Sequence, residues 1–177
     1  SLCSASCTAS YGAGAGAFYL AYALFEVPSN MLMTKVGARK WLARIMFTWG
    51  ILAASMMLVR TPFQFYLVRF LLGVAEAGFF PGVVYYLSHW FPRVQRGRAI
   101  SRFYFFGPLS STIMGFASPP LLGLHGAVGL SGWQWLFLVE GLPATFIGIA
   151  IFLMLPDSPK TAKWLAPPQS DWIERAL

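Results

Sequence analysis

Five long apolar runs alternate with short polar segments along the chain. They extend from about Tyr11 to Met33, Trp41 to Val59, Phe63 to Trp90, Phe103 to Leu122 and Trp135 to Leu155. A hydrocarbon core of ~30 Å takes about 20 apolar residues to cross at 1.5 Å rise per residue. The pattern therefore predicts five membrane-spanning helices: an all-α, polytopic transmembrane bundle over residues 11–155. Residues 1–10 are expected to form an external tail. Residues 156–177, with prolines at 156, 159, 167 and 168, are expected to begin a cytoplasmic linker.

Composition agrees with lipid as the solvent. Of 177 residues, 57% are hydrophobic and only 11% charged, with a mean hydropathy of +0.61. Soluble domains carry roughly 25% charged residues. The net charge of +7 raises nucleic acid as a partner, but the cations sit in separate clusters with no continuous basic face, which argues against it. Lys35, Arg39, Lys40 and Arg44 flank the first connection. Arg93, Arg96, Arg98 and Arg102 lie between the third and fourth runs, and Lys160, Lys163 and Arg175 follow the fifth. Eleven of the thirteen Lys and Arg thus fall on one side, with Arg60 opposite and Arg69 inside a run. The positive-inside rule makes that side cytoplasmic, with the N-terminus outside and the C-terminus inside. Trp41, Trp90, Trp133 and Trp135 stand near run ends, as interfacial anchors do. Cys3 and Cys7 lie in the Ser-rich tail with no companion ligands, a weak metal signal, and no basic–apolar–small leader precedes the first run. No metal or cofactor is expected.

Polar groups and helix breakers inside the runs carry the functional signal. Pro28 and Pro81 each remove a backbone N–H and free a carbonyl four residues earlier, which suits a helix that bends during transport and equally a static kink. Gly12, Gly14 and Gly16 resemble a dinucleotide loop superficially, but no strand precedes them and the third glycine of that pattern is missing. Gly12 and Gly16 instead form a small-x-x-x-small face for close helix packing, and Gly73 and Gly78 are expected to act similarly. Arg69 and Glu76 are seven residues apart, two turns, on one helix face about 10 Å apart. Glu76 lies near the middle of its run, where a carboxyl must be protonated, paired or turned to a wet cavity. Burial favours the neutral acid and a nearby cation the charged one, the basis for loading and releasing a proton. The alternative is a buried structural ion pair. Tyr22 places a hydroxyl midway along the first run, with Glu26 one turn below it. Glu140 lies near the outer boundary of the fifth, and His89 and His125 at interfaces. Ser110, Ser111 and Thr112 occupy the middle of the fourth, either lining a cavity or bonding back to helix carbonyls.

The stretch Asn30-Met-Leu-Met-Thr34-Lys35-Val-Gly37-Ala-Arg39-Lys40 resembles the loop between helices two and three of the major facilitator superfamily. Arg69-Phe-Leu-Leu-Gly73-Val-Ala-Glu76-Ala-Gly78-Phe-Phe-Pro81 is similar to that superfamily's helix-four signature. Phe25-Glu-Val-Pro-Ser-Asn30, Gly132-Trp-Gln-Trp-Leu-Phe, and Leu155-Pro-Asp-Ser-Pro with Lys163-Trp-Leu resemble its bacterial anion:cation symporter branch, importers of tartrate, hexonates, hexarates and related acids with protons. The resemblance covers nearly everything from Tyr11 onward and equates the five spans with helices two to six. It implies an inner-membrane, multi-pass protein. Counterparts of helix one, with its Asp-Arg pair, and of helices seven to twelve are absent, so the chain is expected to be part of a longer transporter that supplies them as partners. By the same resemblance Glu76 is the proton-coupling residue and Tyr22 and Arg69 are substrate-binding residues; Ser111, from its place in the fourth run, is the further substrate-binding candidate. Thr34, Lys35, Gly37, Arg39 and Lys40 form the gating loop. Thr34 replaces that loop's acid and Asn30 its glycine, which weakens the expected latch. Gly107-Pro108 alone falls short of the antiporter signature, which favours symport or uniport.

The expectation is a secondary active transporter, a proton-coupled importer of small organic anions by alternating access through a midplane site. One rival is a non-transporting membrane scaffold or subunit. An intramembrane enzyme is the other, and it lacks a converging nucleophile and base or a ligand cluster of the HExxH kind.

Overall fold

The computed structural model describes residues 2–162 and 164–177, with side-chain surroundings from Tyr11 onward except at Pro167 and Ala176. Lys163 of the Lys163-Trp-Leu motif lies outside the described residues, and Cys3 and Cys7 precede the described side chains. Among the described residues seven α-helices follow one another: α1 (Leu2–Val36), α2 (Ala38–Ser55), α3 (Pro62–Glu76), α4 (Phe79–Ser88), α5 (Arg93–Gly123), α6 (Gly132–Met154) and α7 (Pro167–Ala176). Short 3-10 turns at Met56–Leu58, Ala127–Gly129 and Pro159–Thr161 complete the order. No strand occurs among the described residues.

Two helix pairs form the body: α2 packs along α6, and α1 along α3. In lipid there is no hydrophobic drive between helices, so small residues that let backbones approach decide the contact. On α6, Gly141 and Gly148 are seven residues apart, on one face. A Cβ on Gly141 would stand 2.6 Å from both the Gly50 carbonyl oxygen and the Ala54 nitrogen, and one on Gly148 2.7 Å from the Phe47 nitrogen. Gly50 meets Thr145 across the same seam. On α3, Gly73 faces the Phe18 carbonyl, beside fully buried Ala21. Ala53, Met56 and Leu72 join the two pairs, wrapped by Phe18, Trp49, Phe65, Val68 and Phe137.

The glycine face on α1 differs from expectation. Gly12 and Gly16 look onto open space, and Gly14 lies against the Phe65 ring instead. Glycine spacing alone does not say from which side α3 approaches. The tail also differs: residues 2–10 continue α1 as helix, since this Ala- and Ser-rich stretch contains no proline.

The third run is two helices rather than one. α3 closes with the Ala77 N–H on the Gly73 carbonyl, and Gly78 (φ 85°) restarts the chain as α4 in a left-handed conformation that suits glycine. The break thus lies at Ala77–Gly78. Pro81 falls in the first turn of α4, where a backbone N–H has no partner within the helix anyway. Ala77 is fully buried, so its carbonyl, released from the helix ladder, needs a donor. Ser29 on α1 provides one at 2.6 Å and in turn accepts the Trp41 Nε1–H of α2 at 3.0 Å. Pro28 lies within α1, which continues unbroken past it.

Among the described residues three segments are long and apolar enough to cross a membrane: Ala38–Leu58, Pro62–Ser88 and Gly132–Met154. The two other expected spans lie in α1 and α5, of 35 and 31 residues. Both exceed the length needed, but glycines, hydroxyls and, on α5, three prolines dilute their apolarity. α5 buries none of its residues, and Phe116 on it is 80% exposed.

Candidate functional site

Three helices bring polar groups together beside the α3–α4 break. Tyr22 and Glu26 lie one turn apart on the same face of α1. Glu76 is the last residue of α3, half-buried, with the chain turning away immediately after it. The electrostatic surroundings of Tyr22 comprise Glu26, Glu76 and, from α5, Tyr104. Aromatic contacts set the spacing: Phe25 meets Phe70 edge-on at 6.4 Å between α1 and α3, and Phe80 meets Tyr104 at 5.1 Å between α4 and α5. Tyr22 thus stands within electrostatic reach of two carboxyls and a second phenol, contributed by α1, α3 and α5.

Arg69 and Glu76 do not pair. The ion pairs among the described residues are Arg39–Asp157 and Lys160–Glu174. The Arg69 guanidinium stands over Phe65 at 5.4 Å and Tyr11 at 5.9 Å, and its buried Nε has no hydrogen-bond partner. Two-turn spacing put both residues on one face. The aromatic rings on α1 and α3 then took the cation at its own end of the helix. Ser111 is exposed on α5 and donates to the Gly107 carbonyl at 3.2 Å, as Ser110 does at 2.8 Å, while Thr112 donates to Pro108 at 2.9 Å. These hydroxyls bond back to their own helix, the second of the two expectations. Tyr104, seven residues before Ser111 on the same helix face, was not singled out from sequence. Its two-turn spacing from the serine was the available signal.

The expected gating loop is a single residue. Gly37 (φ 97°) separates α1 from α2, its N–H bonded to the Met33 carbonyl at 2.9 Å. Thr34 uses its hydroxyl on the Met31 carbonyl at 2.9 Å. A cavity of about 310 Å³ opens here, lined among others by Thr34, Lys35, Lys40, Tyr86, His89 and Asp157. The segment after α6 fastens onto it. Arg39 Nη1 lies 3.9 Å from Asp157 Oδ2, and the Tyr86 hydroxyl donates to the Pro156 carbonyl at 2.9 Å. Trp164 stacks on Trp90 at 5.8 Å and 11°. Asp157 therefore places a carboxylate beside the turn where Thr34 stands instead of an acid.

The sequence profile of the Major Facilitator Superfamily matches residues 8–176. The chain belongs to the major facilitator superfamily. It is 49% identical over 96% of its length to a quinolone resistance transporter of Acinetobacter baumannii and 47% identical over 94% to a putative tartrate transporter of Agrobacterium vitis. It is 53% identical over 90% to the putative metabolite transport protein NicT of Pseudomonas putida. These alignments cover 39%, 37% and 37% of the relatives, so the chain spans about two fifths of their length. Membership of this superfamily makes it part of a helical, multi-pass membrane protein and points to a non-enzymatic transporter.

Proposed function

We propose that the chain works within a proton-coupled importer of small organic anions operating by alternating access in the bacterial inner membrane, its C-terminus cytoplasmic. One observation carries the reading: Glu76, half-buried at a helix break, joins no ion pair among the described residues and lies within electrostatic reach of Tyr22 on α1, which Glu26 and Tyr104 of α5 also reach. A carboxyl in that setting changes charge by taking a proton, not by holding a cation. The names of the tartrate and metabolite transporters support the substrate class.

In this mechanism Glu76 takes a proton from the external side, and loss of its negative charge lets a substrate carboxylate enter the same cavity. The Tyr22 and Tyr104 hydroxyls donate to that carboxylate, and Arg69 supplies positive potential two turns away. Proton and anion then leave together after the bundle rocks against the remainder of the transporter, the helices outside this chain. On the basic face, Gly37, Thr34, Lys35, Arg39 and Lys40 form the gate, and Asp157 acts as the acid that fastens it. Inverted helix repeats meeting at a central site are the general device for such motion.

The test is uptake of tartrate and other hydroxy acids by the intact transporter in proteoliposomes. An acidic exterior should drive accumulation, and a protonophore should abolish it. Uptake indifferent to the pH gradient would refute proton coupling. A second reading, drug export, rests on the quinolone resistance relative, and outward quinolone movement without organic-acid uptake would establish it instead.

A further inference from the structure

A cavity on the basic face lies apart from the cluster and the gate. It measures about 450 Å³ and is lined by Leu87, Phe91, Gln95, Arg98, Ala99 and Arg102, between the end of α4 and the first turns of α5. Its two halves differ in chemistry. Leu87, Phe91 and Ala99 make an apolar wall, whereas Arg98 and Arg102 point two guanidinium groups from one helix face, a single turn apart. Like charges so placed repel each other unless an anion lies between them.

Among the described residues no acid forms an ion pair with either arginine. From Ala77 to Val139 the sequence contains neither Asp nor Glu, and the ion pairs among the described residues use Asp157 and Glu174 elsewhere. Arg96 is already occupied, donating to the Ser88 carbonyl at 3.1 Å. Arg98 and Arg102 are thus left lining the cavity, which opens one residue after Trp90, a residue type that settles at the lipid headgroup level.

We propose that this cavity binds the headgroup of an anionic phospholipid. The phosphate lies between the planar guanidinium forks of Arg98 and Arg102, which match its oxygens in pairs. The Gln95 amide donates to the glycerol oxygens, and the acyl chain runs over Leu87 and Phe91. The volume falls within the roughly 300–1,000 Å³ of small-molecule sites. Basic pockets between membrane helices hold anionic headgroups in this way. The site bridges α4 and α5, an otherwise loosely packed junction, so bound lipid ties α5 to the bundle.

The test uses the full chain extracted from bilayers of phosphatidylcholine mixed with phosphatidylglycerol, with native mass spectrometry counting retained lipid. Phosphatidylglycerol should be retained selectively, and Arg98→Gln with Arg102→Gln should weaken that retention roughly thirty-fold, two surface charges' worth. Arg93→Gln, outside the cavity, should leave it unchanged. Arg98→Lys with Arg102→Lys, judged for folding by helical circular dichroism, should keep an intermediate preference. Equal retention of both lipids, an Arg93→Gln loss as large as the double variant's, or displacement of the lipid by millimolar inorganic phosphate would overturn the proposal.

Discussion

Ser29→Ala is the most informative perturbation of the bundle. Ser29 is 6% exposed, and its hydroxyl both donates to the Ala77 carbonyl at 2.6 Å and accepts the Trp41 indole N–H at 3.0 Å. Alanine differs by one oxygen, so no sizeable cavity opens, and the effect isolates two hydrogen bonds. Interhelical bonds in membrane proteins average ~0.6 kcal/mol by double-mutant cycles and reach 1–2 kcal/mol in model peptides. Losing both therefore costs about 1–3 kcal/mol. Trp41→Phe removes only the outer bond and should cost less through hydrogen bonding, although it also strips the ring that lies 4.1 Å from the Arg44 guanidinium. Because the bonds share one oxygen, the double variant should be less destabilised than the sum of the singles. Reversible unfolding in detergent or bicelles measures all three. Ser29→Ala within about 0.3 kcal/mol of wild type, or strict additivity, would refute a relay that holds the α3–α4 break.

Further tests address the seam, the gate and the linker. Gly148→Val or Gly141→Val should force α2 and α6 apart and abolish the native fold, since the new Cβ meets backbone 2.6–2.7 Å away. Gly12→Ala and Gly16→Ala, which face open space, should be neutral, all read by thermal unfolding. Asp157→Asn should leave stability nearly unchanged, because both partners of the Arg39–Asp157 pair are substantially exposed and such pairs contribute about 0–1 kcal/mol. It should nonetheless shift the gate's opening equilibrium up to about five-fold, measured by alkylation of a Thr34→Cys probe in a background without Cys3 and Cys7. Lys160 donates to Glu174 at 2.6 Å, and that bond holds its ammonium above the ordinary lysine value of 10.5. A raised folded value means the contribution is complete at neutral pH and fades only as alkaline pH passes through it. Trp164 and Trp172 fluorescence should accordingly change only at strongly alkaline pH, and Glu174→Gln should erase that transition.

Much of the bundle was legible because lipid enforces long apolar runs and clustered cations. The run Trp135–Leu155 lies over α6 (Gly132–Met154), whereas α1 and α5 begin well before the runs at Tyr11 and Phe103 that they contain. The carbonyl four residues before Pro81 is that of Ala77, where α3 ends and Ser29 donates. Proline is the conspicuous breaker in sequence, but the strain falls on Gly78, and Pro81 simply tolerates a first turn. Of the two readings of Arg69 and Glu76, the structural ion pair is not formed among the described residues. What Arg69 touches depends on Tyr11 of a different helix, which no local pattern encodes. Asp157 shows the same limit: its approach to Arg39 crosses more than a hundred residues of chain and exists only once α6 lies along α2. The choice of Gly14 over Gly12 and Gly16 likewise follows from the direction in which Phe65 arrives.

The central claim is that Glu76 carries the proton. Glu76→Gln in the intact transporter keeps the side chain's size and removes its capacity to titrate. Organic-anion uptake driven by an imposed pH gradient should vanish, while counterflow exchange of labelled for unlabelled substrate, which needs no net proton movement, should persist. Gradient-driven uptake at the wild-type rate would contradict the account.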